Sequence, residues 1–206
     1  MSPRSADPWI GLIGERAACC ADLGQLAAAA RSCTACPELV ATRSTVVVGD
    51  TPNRPRLVIV GEAPGATEDI EGRPFVGRGG ALLDELMAAA GLARAGTAVL
   101  NVLKCRPPAN RTPTTAEAAR CTGWLDRQVE LLGPELVLTL GRTALTWALS
   151  AKVRLEDARG QALDWRGRRL VASYHPSAAL RFGPAGAPRA ALAADLGLVA
   201  EVLACS

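Results

Sequence analysis

The chain has 206 residues, of which 49% are hydrophobic and 21% are charged. This composition is typical of one folded domain with a sizeable core, and it excludes disordered, collagenous and tandem-repeat proteins. Basic residues number 23 and acidic residues 20, so the net charge of +3 is by itself no argument for nucleic acid binding. We expect a single domain over residues 1–206, with an N-terminal and a C-terminal helix packed on its centre.

The N-terminal segment MSPRSADPWIGLIGERAACC has no basic start followed by a continuous apolar run. No stretch reaches the ~20 apolar residues that span a bilayer. We therefore expect a cytoplasmic protein without membrane association. The seven cysteines are then predicted to be metal ligands or free thiols rather than disulfides. Cys19, Cys20 and Cys205 lie in Ala/Leu-rich helical segments, and we expect them to be small buried hydrophobes.

The predicted elements alternate between helices and short apolar strands. A helix is expected from Gly14 to Arg31, SCTACPEL ends it, and TVVVGD follows as an extended segment or short strand. Four strands are predicted, in LVIV from Leu57, TAVLNVLKC from Thr97, PELVLTLG from Pro134 and RRLVASYHP from Arg168. Further helices are expected from about Gly79 to Gly91, in TPTTAEAARCTGWLDRQVELLG, and after the GPAGAP joint.

Buried strands that alternate with amphipathic helices predict a mostly parallel sheet covered on both faces. In such sheets, ligand-binding loops lie beyond the carboxyl ends of the strands. Three segments fall there: GEAPG after the first strand, Asn101 with Lys104 and Cys105 at the second, and YHPSAALR after the fourth. We expect the functional site at this edge of the sheet.

Four of the cysteines have a spacing typical of metal ligands. Cys33 and Cys36 form a C-x-x-C pair, while Cys105 and Cys121 follow and are separated from each other by 15 residues. Four thiolates can bind a tetrahedral zinc ion or an iron–sulfur cluster. One cysteine in a Pro-bearing loop and one within a helix are unlike the two tight pairs of a zinc ribbon, which favours [4Fe–4S]. Four unrelated thiols or a redox-active C-x-x-C are the alternatives.

Three side chains in the loops are candidates for ligand binding. Phe75 lies in the long loop GEAPGATEDIEGRPFVGRGG. Its ring either fills the core or provides a stacking face for a base. In the same loop, GRGG opens a helix and can bind an anion. His175, the only histidine, follows a strand and is either a functional donor or an ordinary surface or core group. Asn101 either bonds the backbone or recognises the donor and acceptor of a nucleobase edge.

Several of these segments together resemble one family. They are GEAPG at Gly61–Gly65 continuing to Glu68-Asp69, GRPFVG at Gly72–Gly77, NVLKCRPPANRTPT at Asn101–Thr114 and HPSAALR at His175–Arg181. In this order they resemble the family 4 uracil-DNA glycosylases, iron–sulfur members of the uracil-DNA glycosylase superfamily. The resemblance covers about Ser32 to Arg181 and includes all four spaced cysteines.

The resemblance implies a three-layer α/β/α sandwich with a central four-stranded parallel sheet. It implies a [4Fe–4S] cluster bound by Cys33, Cys36, Cys105 and Cys121. The implied activity belongs to base excision repair: a monofunctional hydrolase flips uracil out of damaged DNA and hydrolyses its N-glycosidic bond, leaving an abasic site. The expected partner is uracil-containing DNA, bound by a monomer.

The resemblance also implies a uracil pocket. Phe75 would stack on the ring, Asn101 would bond O4 and N3–H, and His175 would donate to O2. Glu62 is the candidate that positions the attacking water or stabilises the sugar cation. Gly61, Gly65 and Glu68 would complete the pocket.

Two positions depart from better-known members of the superfamily. Ala63 replaces an Asp in the GEAPG loop, and Gly65 replaces a Tyr that excludes thymine. Glu68 or the loop backbone is then expected to fill the space beside C5 of the base.

For DNA, the resemblance implies that Leu180 inserts into the base stack and that Arg181 contacts phosphate. The alternative for Leu180 is a core residue of a turn. Arg111 is expected to contact DNA from a basic segment that also holds Lys104, Arg106 and Arg120.

Three other functions compete with the glycosylase hypothesis. A catalytically silent DNA-binding module would be expected to lack His175, Asn101 or the GEAPG loop, and all three are present. A related branch that captures uracil-DNA covalently needs a histidine within a basic insertion after Asn101, and the chain has none there. An electron carrier is disfavoured by the pocket motifs.

Overall fold

The computed structural model describes residues 7–149 and 152–205. It orders them around one sheet of five strands, in the order β2-β1-β3-β5-β4. The strands are β1 Leu57–Gly61, β2 Thr97–Asn101, β3 Leu136–Leu140, β4 Ala162–Trp165 and β5 Arg168–Ser173. The first six residues of the N-terminal segment considered above lie outside the described residues.

The sheet corrects the prediction of four strands. β2, β1, β3 and β5 are parallel as expected, but β4 adds an antiparallel edge strand to β5. Arg166 and Gly167, both with positive φ (48° and 72°), form the two-residue turn that joins β4 to β5. β4 is only partly buried and has no apolar run, so the strand pattern did not indicate it.

Along the chain, helices precede, separate and follow the strands. They are α1 Pro8–Ala18, α2 Leu23–Arg31, α3 Pro37–Val40, α4 Ala66–Glu71, α5 Arg78–Ala89, α6 Thr115–Leu132, α7 Arg142–Ala148, α8 Leu155–Ala158, α9 Pro176–Phe182 and α10 Ala187–Ala204. Short 3₁₀ turns occur at Arg94–Gly96 and Pro108–Asn110. No helix of the described chain is long and apolar enough to cross a membrane.

Helices cover both faces of the sheet, as predicted. Val58 and Val60 of β1 face a core built with α1, α2 and α6. Leu57 and Ile59 face a second core built with α5, α9 and α10. Because successive side chains of a strand point to opposite faces, the continuous apolar run of β1 serves both layers.

The structure corrects several boundaries. The helix expected from Gly14 to Arg31 is two helices, because Asp22 caps α2 by accepting the Gln25 N–H at 2.8 Å. Cys20 is buried as expected, whereas Cys19 and Cys205 are exposed. TVVVGD is extended and contributes a single bridge, from Asp50 to Val99 of β2.

Two corrections concern the site edge. β2 ends at Asn101 and β5 at Ser173, earlier than predicted. HPSAALR forms the start of α9 instead of a loop, with His175 as the N-cap residue and Pro176 in the first helical position.

Candidate functional site

The pocket candidates meet at the carboxyl ends of β1 and β2. Gly61 is paired with Asn101 in the parallel register of these strands. A Cβ added at Gly61 would lie 2.5 Å from both Asn101 Oδ1 and Phe75 Cζ. Glycine is therefore required here, because any side chain would fill the space in which the ring and the amide meet.

Phe75 is buried, and its backbone is left-handed with a φ of 52°. Its carbonyl lies directly on α5, since a Cβ at Gly80 would be 1.8 Å from Phe75 O. The ring centroids of Phe75 and His175 are 5.5 Å apart, with an interplanar angle of 36°. The structure thus brings together an aromatic face, an amide and the histidine.

Asn101 has a polar atom without a partner. The residue is 3% exposed, and its Oδ1 accepts no hydrogen bond from the described part of the chain. Leaving a buried acceptor unpaired costs about 1–3 kcal/mol, so such groups in folded proteins generally have a partner. The geometry therefore provides an acceptor for a donor that a ligand would supply.

His175 is held as a neutral hydrogen-bond donor. Its Nδ1 accepts the Ser177 N–H at 3.2 Å and lies 2.9 Å from Ser177 Oγ. Burial lowers the pKa of His175 to about 4, against a smaller opposing effect of the Glu68 charge. Because Nδ1 accepts a backbone N–H, the proton of the neutral ring is on Nε2.

Glu68 connects the two halves of the long loop. Its Oε2 accepts the Gly65 N–H at 3.1 Å, while Oε1 accepts the N–H groups of Val76 at 3.0 Å and Gly77 at 2.8 Å. The carboxylate therefore occupies the position before α5 where the sequence predicted an anion. These three bonds hold the backbone of the loop together, and the place of Glu68 beside the base stays a prediction.

The Glu62 carboxylate follows β1 directly and accepts a hydrogen bond from the Thr143 hydroxyl of α7. The Glu62 backbone is fixed as well, because its carbonyl accepts the Leu103 N–H at 3.0 Å. Nothing in the sequence pattern indicated Thr143, since this contact joins residues 81 positions apart.

The four spaced cysteines converge on one cavity near the pocket. Cys33, Cys36, Cys105 and Cys121 all line it, among mostly apolar neighbours. No group of three or more His, Cys, Asp or Glu side chains is spaced to hold a metal ion among residues 7–149 and 152–205. The four cysteines nevertheless line one cavity, and metal binding by them stays a prediction.

Two donors approach the sulfur atoms. Arg43 Nη1 donates to Cys105 Sγ at 3.0 Å, and the Lys104 N–H donates to Cys121 Sγ at 3.4 Å. Burial raises the pKa of Cys36 and Cys105, and it raises that of Cys121 to about 12. Neutral thiols are therefore favoured at pH 7 unless a bound cation stabilises the thiolates.

Comparison with known proteins gives the family. The model of the uracil-DNA glycosylase superfamily matches residues 48–196. The chain belongs to this superfamily. A type-4 uracil-DNA glycosylase of Thermotoga maritima is 46% identical over 153 residues, 73% of this chain and 79% of the relative. One of Saccharolobus solfataricus is 36% identical over 191 residues, 88% of this chain and 87% of the relative.

A type-5 uracil-DNA glycosylase of Pyrobaculum aerophilum is less similar, at 31% identity over 182 residues, 71% of this chain and 78% of the relative. The higher identity to the type-4 enzymes confirms the family 4 resemblance found in the motifs. The matched region contains GEAPG, NVLKC and HPSAALR, whereas Cys33 and Cys36 of the cysteine cavity precede it.

In this uracil-DNA glycosylase superfamily member, the arginines of the basic segment between Cys105 and Cys121 bind partners within the protein. Arg111 binds Glu117 through two hydrogen bonds of 2.9 and 2.8 Å, which holds the Glu117 pKa down at about 2. Arg120 pairs with Asp7 at 2.6 Å. The charge of Arg111 is thus compensated where Glu117 caps α6, and its contact with DNA stays a prediction.

Lys104 is also not a surface residue. It is 1% exposed, and its Nζ donates to the Asn101 backbone carbonyl at 2.9 Å. Burial lowers the pKa of Lys104 to about 8, while the nearby sulfurs of Cys121 and Cys105 act in the opposite direction. Lys104 therefore connects the backbone of Asn101 with Cys121 of the cysteine cavity.

The glycosylase presents apolar side chains on α9. Leu180 is 37% exposed, so it is not the core residue of a turn. Phe182, which the sequence analysis did not single out, is 65% exposed at the end of the same helix. Arg181 between them is exposed. The helix thus holds His175 at its start and apolar side chains on the surface at its end.

Proposed function

We propose that the protein excises uracil from DNA, hydrolysing the N-glycosidic bond and leaving an abasic site. The unpaired Oδ1 of Asn101, buried beside Phe75, is the observation that carries this proposal. A base within a duplex cannot reach such a pocket, so the nucleotide must be flipped out of the stack. Strand breakage at uracil only after alkali would test this activity.

Uracil matches the hydrogen-bonding groups of the pocket. Its N3–H would donate to Asn101 Oδ1, and its O4 would accept from the amide NH₂ of the same residue. Phe75, fixed against Gly61 and Gly80, would stack on the ring. Cytosine has an acceptor at N3 and a donor at N4. With the same amide orientation, Oδ1 would face another acceptor and the NH₂ group another donor, so cytosine is rejected.

Replacing Asn101 by Asp should lower uracil excision strongly, because the carboxylate cannot donate to O4. The same carboxylate can accept from N4, so cytosine should become a slow substrate. Single-turnover rates on matched oligonucleotides with one uracil or one cytosine would measure both changes. Unchanged uracil excision in this variant would remove Asn101 from the pocket.

Cleavage of the glycosidic bond puts negative charge on uracil O2 and positive charge on the sugar. The Nε2–H of His175 would donate to O2, and a neutral ring suffices for this role. Glu62, whose carboxylate is oriented by Thr143, would stabilise the sugar cation and position the attacking water. Glu68 would act through the backbone that it ties together around Gly65 and Phe75.

For DNA, we propose that Leu180 inserts where the uracil leaves the stack and that Arg181 contacts a phosphate. Both side chains are exposed on α9, the helix that His175 begins. Insertion at this point would couple flipping of the nucleotide to its arrival beside His175. The protein is proposed to act as a monomer and as a single domain.

Replacing Leu180 by Ala should reduce excision from duplex DNA by more than excision from single-stranded DNA, because a single strand has little stacking to break. Phe182→Ala, on the same helix, is the matched variant for general effects on α9. The measurement is the single-turnover rate on both substrates. Equal losses on the two substrates would show that Leu180 supports the fold of α9 and does not act in flipping.

We also propose that Cys33, Cys36, Cys105 and Cys121 bind a [4Fe–4S] cluster. The donor set fits this group: four sulfurs line one cavity, and the Arg43 guanidinium and the Lys104 N–H donate to two of them. A bound cluster would supply a cross-link between distant parts of the chain, and the hydrolysis requires no redox change. The cations of Arg43 and Lys104 would offset the negative charge of the thiolates.

A further inference from the structure

The backbone around Phe75 is held by one arginine that no motif includes. Arg94 Nη2 donates to the Pro74 carbonyl at 2.9 Å, and Nη1 lies 3.4 Å from the Phe75 carbonyl. The guanidinium is itself fixed by two carboxylates, Asp84 at 2.8 Å and Asp50 at 3.3 Å. All four contacts are charge-assisted, because the donor is a cation; two are to carboxylates and two are to the backbone of the pocket loop.

Arg94 is well placed to act as a fixed point. It begins the 3₁₀ turn that leads directly into β2, the edge strand that ends at Asn101. Asp50 bridges to Val99 of the same strand. The guanidinium therefore fixes the Phe75 loop relative to the strand that carries the pocket amide.

The loop requires such support because its conformation is unfavourable in isolation. Phe75 has a φ of 52°, a region that a residue with a Cβ rarely adopts. Glu68 holds the residues that follow Phe75, through Val76 and Gly77, but not the Pro74 side. Without Arg94, the carbonyls of Pro74 and Phe75 would lose this donor, and the ring would be free to shift.

We infer that Arg94 is a positioning residue for uracil recognition, which holds the Phe75 ring in its stacking position through the two carbonyls. This inference rests on the proposed function, in which Phe75 stacks on uracil. It predicts that Arg94 affects excision only through Phe75.

A double-mutant cycle tests this inference. Single-turnover rates on single-stranded uracil-containing DNA are measured for the unmodified protein, Arg94→Met, Phe75→Ala and the double variant. Arg94→Met should lower the rate by about 10- to 100-fold, as expected when a group is misplaced by about 1 Å. In the Phe75→Ala background, the same substitution should change the rate by less than about two-fold.

Arg56→Met is the matched control. Arg56 likewise binds a carboxylate, Glu135 at 2.7 Å, and a backbone carbonyl, Leu203 at 2.7 Å, but these partners lie before β3 and in α10 and not in the Phe75 loop. It should change the melting temperature without a specific loss of excision. Arg94→Lys, which keeps a cationic donor, should give an intermediate rate and replaces Arg94→Met if that variant does not fold.

The outcomes separate the two hypotheses. Additive losses of Arg94 and Phe75 substitutions, or an unchanged rate in Arg94→Met, would overturn the positioning role while excision by the unmodified protein stands. Excision that is absent from the unmodified protein would overturn the proposed function and this inference together.

Discussion

Replacing His175 by Ala should lower the single-turnover rate of uracil excision by about 10²–10³-fold, equivalent to about 2.7–4 kcal/mol of transition-state stabilisation. The Nε2–H donates to the charge that develops on O2, and alanine leaves that charge unpaired. Affinity for uracil-containing DNA should change far less, because O2 carries little charge in the bound ground state. Rapid-quench rates at saturating enzyme, together with a binding titration, measure the two effects separately.

The pH profile provides an independent check on His175. Because burial lowers its pKa to about 4, the ring stays neutral and the rate should show no His175 titration between about pH 5 and about pH 8. A histidine with an ordinary pKa would produce a step near 6.5. A step at that pH that His175→Ala abolishes would contradict the neutral donor.

His175 and Leu180 lie on the same helix, so their substitutions also test each other. His175→Ala should slow excision from single-stranded and duplex DNA alike, whereas Leu180→Ala should affect mainly the duplex. Equal losses for both variants on both substrates would indicate unfolding of α9 and would reject the division between chemistry and flipping.

Replacing Cys121 by Ala should abolish iron binding and lower the free energy of unfolding, because the cluster would connect α6 to segments far away in the chain. Protein purified without oxygen should be brown and contain iron, and the variant should be colourless with a lower melting temperature. Cys205→Ala is the matched control, since Cys205 is exposed and lies outside the cavity.

Metal analysis decides between the candidate centres. Iron in the unmodified protein and in Cys205→Ala, but not in Cys121→Ala, is the expected pattern. A colourless, fully active protein with one zinc ion would contradict the iron–sulfur cluster. A metal-free protein with full stability would show that the four thiols line the cavity without binding a metal.

Much of the fold could be predicted because buried parallel strands have a strong pattern. The apolar run at Leu57–Gly61 is buried on both faces and was found from its residues alone. β4 was missed because it is short, only partly buried and contains polar residues such as Asp164. The break between α1 and α2 was missed because Asp22 caps a helix within a continuous Ala/Leu-rich segment.

The residues of the candidate site that belong to sequence motifs could be predicted. Phe75, Asn101 and His175 are far apart in the chain and meet at the sheet edge as the resemblance implied. Arg94 and Thr143 could not be predicted, because their contacts with backbone carbonyls and with Glu62 depend on how distant loops pack. The ion pairs of Arg111 with Glu117 and of Arg120 with Asp7 could not be predicted either, since a sequence does not show which arginines are paired within the protein.

Incubation with a uracil-containing oligonucleotide, followed by alkali, tests the central claim most directly. Hydrolysis of the glycosidic bond leaves an abasic site, and alkali then breaks the strand there. We predict breakage at the uracil only after alkali, and none in a matched oligonucleotide with thymine or cytosine. An intact strand after alkali, with the DNA still bound by the protein, would contradict the glycosylase and favour a binding module. Breakage before alkali would contradict a monofunctional enzyme.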